Sequence, residues 1–133
     1  MPLSHFPTLR YLALLPSSIT GWYAYTYLLQ PSSALWIFEF DHLPSGPDEY
    51  IFHTLMGLLG AKAVFITFAL YLAVLFAKPK YVGATLLATA GMAGIDGWVV
   101  KRYVGHGEWN HWGYGSFLVV YGLVLLGVLD GLV

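Results

Sequence analysis

The sequence contains no cysteine. That excludes disulfides, thiolate metal sites and thiol redox chemistry, and with them the quinone reductases that work through a membrane-buried CxxC. Charge is scarce too. Charged residues are 10% of the 133, six basic against seven acidic, for a net charge of −1; soluble domains carry roughly 25%. No run of cations exceeds two adjacent residues, Lys101-Arg102, so there is no basic footprint for nucleic acid. Internal repeats and low-complexity tracts are missing. The first apolar stretch has no basic n-region, is interrupted by Pro16 and precedes no small-residue cleavage site. It reads as a retained helix rather than a signal peptide.

What is abundant is apolar surface. Hydrophobic residues make up 58% of the chain, and its mean hydropathy is +0.67. A chain of one domain's length cannot bury that much within itself, whereas a lipid bilayer can cover it. A spanning helix needs roughly 20 mostly apolar residues. Four segments reach that length, at about 8–29, 51–77, 81–100 and 113–133. The expected fold is therefore all-α: a four-helix transmembrane bundle forming a single integral membrane domain over residues 1–133. Lys78-Pro79-Lys80 is a tight hairpin that makes the second and third spans antiparallel, and Pro16, Ser17, Ser18 and Thr20 kink the first.

Two longer loops fall on one side of the membrane. The first, 30–50, holds Glu39, Asp41, His42, Asp48 and Glu49 around the turn signal Leu43-Pro44-Ser45-Gly46-Pro47. Its apolar part, Ala34 to Phe40, either lies flat in the interface or folds back as a cap. The second, 103–112, holds His106, Glu108, Asn110 and His111 between Tyr103, Trp109 and Trp112, aromatic residues suited to an interfacial belt. Arg10, Lys78 and Lys80 on the side of the termini outnumber Lys101 and Arg102 opposite, which favours cytoplasmic termini. His5 and His42 read as surface residues.

The third span is rich in small residues, from Gly83 and Ala84 through Ala90, Gly91, Ala93 and Gly94 to Gly97. They provide either close helix packing or room for a ligand, and Gly57 and Gly60 on the second span have the same two readings. Two charges interrupt this apolar background. Lys62 lies in the second span and Asp96 late in the third, at depths an extended lysine can bridge. Charge at membrane depth is costly and faces a partner or a polar cavity. The pair either fixes helix register or moves a proton in an apolar pocket.

A second constellation is His53 at the mouth of the second span with His106, Glu108 and His111 in the loop. These are acid–base or substrate-binding groups, or ordinary interfacial residues. A metal site built with Glu108 and His53 or Asp48 is a third reading, but His106 and His111 are five apart rather than the i, i+4 of a helical zinc pair, and the expected site has no metal. Tyr114 and Tyr121 share a helix face, and Tyr114 can offer a phenol to a substrate oxygen.

The run Gly94-Ile95-Asp96-Gly97-Trp98-Val99-Val100-Lys101-Arg102, then Gly105-His106-Gly107 and His111-Trp112-Gly113, joins Gly57 to Lys62 in a wider pattern. Over roughly residues 50 to 130 it resembles a group of small four-helix integral membrane proteins of uncharacterised function from filamentous fungi. That resemblance implies a place beside secondary-metabolite enzymes, hydrophobic polyketide or terpenoid substrates and the endoplasmic reticulum membrane, but no mechanism. The characteristic arginine and asparagine positions of fungal anthrone oxygenases have no match, and sterol-isomerase-like proteins share only residue types.

The expected function is a membrane-embedded biosynthetic enzyme that cyclises or isomerises a lipophilic secondary metabolite by proton transfer, without a cofactor. Asp96 is the acid or base, and Lys62 tunes it. His111, Glu108 and His106 close the mouth and relay protons, while His53, Trp98, Arg102 and Tyr114 contact the substrate. The rivals are a non-catalytic accessory or assembly subunit bound to a biosynthetic enzyme, and a small transporter that needs a homo-oligomer. Each reading keeps the protein in contact with membrane lipid.

Overall fold

Prolines open three of the α-helices. A computed structural model describes residues 4, 6–40 and 42–131; His5, Asp41 and the last two residues of the fourth expected span lie outside them. Pro7, Pro47 and Pro79 stand at the first positions of α1 (Pro7–Leu12), α3 (Pro47–Phe76) and α4 (Pro79–Val104). There proline's missing N–H costs nothing and its fixed φ suits the helix. Asp48 and Glu49 follow in the first turn of α3, and Lys101 and Arg102 occupy the last turn of α4, each sign matching the helix dipole. α4 stops at Gly105 (φ 92°), and α5 (Trp109–Leu126) stops at Gly127 (φ 79°), both in the left-handed conformation of a helix C-terminus.

The expected boundaries need four corrections, each with a local cause. The first span is two pieces, α1 and α2 (Leu14–Leu29), separated at Ala13. Pro16 has no N–H for the Leu12 carbonyl and its ring crowds that carbonyl, so the ladder breaks upstream of the proline. Ser17 and Thr20 donate instead to the carbonyls of Ala13 and Pro16, at 2.7 and 2.9 Å. The second and third helices begin earlier, at Pro47 and Pro79, and the third runs on to Val104. The fourth covers Trp109–Leu126 rather than 113–133, because Gly127 ends it. The second loop is consequently only residues 105–108, and one long connection remains. Within it a 3-10 helix, Pro31–Ile37, folds back as a cap. Ala34, Ile37 and Phe38 are buried against Ala24, Tyr27, Phe52, Met56, Ala63 and Val100.

All the regular structure among the described residues is helical. Two of the helices, α3 and α4, are long and apolar enough to cross a membrane. At 1.5 Å per residue they extend about 45 and 39 Å. Only 28% and 33% of their most apolar stretches is buried, so most of that surface faces outward, including Phe65, Phe68, Ile95 and Trp98. α2 has 16 residues and α5 has 18, below the roughly 20 of a full span.

The helices associate as two tight pairs, α2 with α3 and α4 with α5, while α3 and α4 touch each other sparsely. The small residues explain the tight seams. A Cβ at Gly83 would stand 2.7 Å from the Gly122 carbonyl oxygen, and one at Gly97 would strike the Trp112 indole. Gly60 is filled by Leu28 in the other pair. Gly57, Gly91 and Gly94 have nothing within 4 Å of the missing Cβ and are not packing positions.

Candidate functional site

Where the two pairs meet, an ion pair bridges α3 to α4. Lys62 Nζ donates to both carboxylate oxygens of Asp96, each at 2.9 Å. The pair is partly enclosed, with side chains 30% and 31% exposed. It stands between two apolar clusters, one around Leu70, Leu86 and Leu118 and the other beneath the 3-10 cap.

The pair also lines two voids. The inner one is a cavity of about 60 Å³, room for a few water molecules. Each helix of the two pairs gives it side chains at helical spacing. α2 supplies Thr20, Tyr23 and Tyr27, α4 supplies Thr89, Ala93 and Asp96, and α5 supplies Asn110, His111 and Tyr114. Spacings of three, four and seven residues keep the α2 and α4 sets each on one face, and on α5 His111 and Tyr114 are three apart. The Tyr114 hydroxyl donates to the Pro16 carbonyl at 3.0 Å and lies 3.2 Å from Thr20 Oγ1. The same carbonyl also accepts from the Thr20 hydroxyl at 2.9 Å. Tyr23 meets Tyr114 edge-on, Tyr27 packs on Phe38, and Phe38 lies 5.6 Å from the His111 ring.

His111 is the exceptional member. It is 9% exposed, and its Nε2 is buried without a hydrogen-bond partner among the described residues. Buried polar atoms are rarely left in that condition, and an exception points to water, a ligand or chemistry.

The outer void is a groove of about 440 Å³ between α3 and α4. Leu55, Leu58 and Leu59 form one wall, Val99, Val100 and Tyr103 the other, Phe38 and Phe40 cover one end, and Lys62 and Asp96 lie at its base. The ion pair is thus a partition with a polar cavity on one side and an apolar groove on the other.

Of the residues singled out by sequence, Asp96, Lys62, His111 and Tyr114 are brought together. The others are not. Glu108 caps α5 and accepts from Lys101 Nζ at 2.8 Å, with Lys101 also 5.3 Å from the Trp112 ring centre. The Lys101 hydrogen bond holds the Glu108 carboxyl below its usual range, helped by backbone hydrogen bonding at Glu108 itself. His106 is exposed between Gly105 and Gly107. His53 faces outward, with Glu49 at 3.8 Å and the Phe52 ring edge-on to it. Trp98 and Arg102 are exposed on α4. These five belong to the rim or the outer surface, and among the described residues no three His, Asp or Glu side chains gather as a metal site. Reasoning from sequence missed Thr20, Tyr23, Tyr27, Thr89 and Asn110, although the i, i+3, i+7 spacing of the first three was there to be read.

Most of this architecture falls within one recognised domain, the Domain of unknown function (DUF4267), which matches residues 21–125. The chain belongs to the DUF4267 family. No curated protein and no solved structure matches it. The DUF4267 region contains the ion pair, the whole groove and every residue of the inner cavity except Thr20, and it leaves α1 outside.

Proposed function

We propose that this DUF4267 protein is a membrane-embedded enzyme that isomerises or cyclises a lipophilic small molecule by proton transfer at Asp96. One observation carries the reading: the Lys62–Asp96 pair borders an apolar groove on one side and, on the other, a small cavity that His111 and Tyr114 also line. Asp96 removes a proton from the carbon beside a substrate carbonyl, and the electron pair moves onto the oxygen. The Lys62 ammonium stabilises that enolate by a charge-assisted hydrogen bond. Returning the proton to a different carbon completes an isomerisation. If the enolate carbon attacks a second carbonyl, the new alkoxide takes the proton and a ring closes. Neither route gains or loses electrons. His111 and the water its cavity admits connect Asp96 with exchangeable protons.

In this reading all four long helical segments lie in the bilayer, with α1 and α2 together making one traverse and α5 another. The membrane is the endoplasmic reticulum, and the substrate is a secondary metabolite. The test uses purified protein in micelles, deuterated water and the lipophilic extract of cells expressing it. Deuterium should enter carbon-bound positions of one component, and Asp96→Asn should abolish this while the protein remains folded. Deuterium uptake unchanged by Asp96→Asn, or none with the native chain, overturns the proposal and favours an accessory or transport role.

A further inference from the structure

The groove between α3 and α4 has a chemistry of its own. We infer that it takes an elongated, uncharged lipophile, which enters sideways from the bilayer and presents a single terminal acceptor oxygen to Lys62. The inference rests on the proton-transfer reading for what happens next, but its geometry is independent of it.

Four observations lead there. The groove opens between the two helices that are long and apolar enough to cross a membrane, so a molecule dissolved in hydrocarbon reaches it without passing through water. Its volume of about 440 Å³ suits a small molecule rather than a protein segment. Leu55 and Lys62 are seven residues apart, as are Asp96 and Tyr103, so both walls continue from the charges on the same helix face for about 10 Å. Beyond the pair, the inner cavity of about 60 Å³ is too small for the body of a ligand. A guest therefore stops with its end at Lys62 and its tail beneath Phe38 and Phe40.

The charges decide the nature of that end. A lysine ammonium has three donors. Two go to Asp96, and the third has no protein acceptor among the described residues. One ligand oxygen can be satisfied there. The pair is already neutral overall, so an incoming carboxylate would bring an uncompensated negative charge to membrane depth. A ketone, aldehyde or ester oxygen accepts the spare hydrogen bond without that cost.

The test is photolabelling of the full chain in lipid nanodiscs with a straight-chain methyl ketone carrying a diazirine on its tail. Label should map to 38–40, 55–62 and 96–104. The unlabelled ketone should compete at least about tenfold better than the carboxylate or alkane of equal length, as expected for one hydrogen bond to a charged donor. Leu59→Trp, or the milder Val99→Phe, fills the groove and should erase labelling, whereas Leu72→Trp on an exposed face of α3 should label normally. Joint Lys62→Met and Asp96→Leu should keep tail labelling but remove the preference for ketone over alkane. Label insensitive to both groove-filling changes, or label joining two copies of the chain, overturns the groove as the binding site. Equal or better competition by the carboxylate overturns the uncharged head. Deuterium exchange lost by Asp96→Asn with labelling retained bears on the chemistry alone. Exchange retained after Leu59→Trp bears on the groove alone.

Discussion

At the scale of single residues, the ion pair is asymmetric in its consequences. Lys62→Met leaves a partly buried carboxylate without a partner. It should destabilise the protein by roughly 2–4 kcal/mol, somewhat under the penalty for a fully enclosed pair. Replacing both residues, Lys62→Met with Asp96→Leu, should recover most of that loss, and denaturant unfolding in micelles reads the difference. The rim pair behaves differently. Because the Lys101 hydrogen bond lowers the Glu108 pKa, its stabilisation is present above the ordinary value of 4.5 and fades as pH falls through the folded value. The gap in unfolding midpoint between native protein and Lys101→Met should therefore be open at neutral pH and closed in strong acid. Sequence showed Lys62 and Asp96 plainly, since charges stand out in an apolar helix. It misplaced neighbours because it gives depth along a helix but not direction. His53 is nine residues before Lys62, about 180° around the helix, and Trp98 is two after Asp96, about 200° around. Both lie at a useful depth and face away. Tyr114 follows His111 by three and therefore stays beside it.

At the scale of elements, glycines separate into packing positions and bystanders. Gly83→Ala drives a methyl against the Gly122 backbone, which cannot yield, and should cost about 1–3 kcal/mol by prying α4 from α5. Gly94→Ala meets open space on the same helix and should be neutral or stabilising by up to about 1 kcal/mol. Thermal unfolding of the two variants side by side checks the contrast. The helical character and the antiparallel hairpin at Lys78-Pro79-Lys80 were legible from hydropathy. The ends were not, because capping rather than greasiness sets them: Pro47 and Pro79 start helices in polar sequence, and Gly127 stops one in apolar sequence. Nor did hydropathy distinguish Gly83 from Gly94, since a partner's position is invisible from one strand of text. The fold-back of Ala34 to Phe40 was one of two readings left open, and burial of Ala34, Ile37 and Phe38 decides it, with Phe40 itself exposed.

At the scale of the whole molecule, the missing cysteines make topology directly measurable. Single substitutions Ser45→Cys and His106→Cys should react with a membrane-impermeant maleimide from one side of a sealed vesicle. Lys80→Cys should react from the other, while Phe65→Cys and Ile95→Cys should stay unlabelled until detergent is added. Labelling of all five from one side would remove the protein from the bilayer interior. Such an experiment also asks whether α2 and α5, shorter than α3 and α4, lie at the same depth as their partners.

Contact between α3 and α4 is sparse beside two closely packed helix pairs, and among the described residues one ion pair latches the seam. Strain imposed from outside will be absorbed there before either helix pair distorts. In the proposed bilayer setting, thinner or more crowded lipid should therefore widen or pinch the opening beside the latch and so tune what the groove admits.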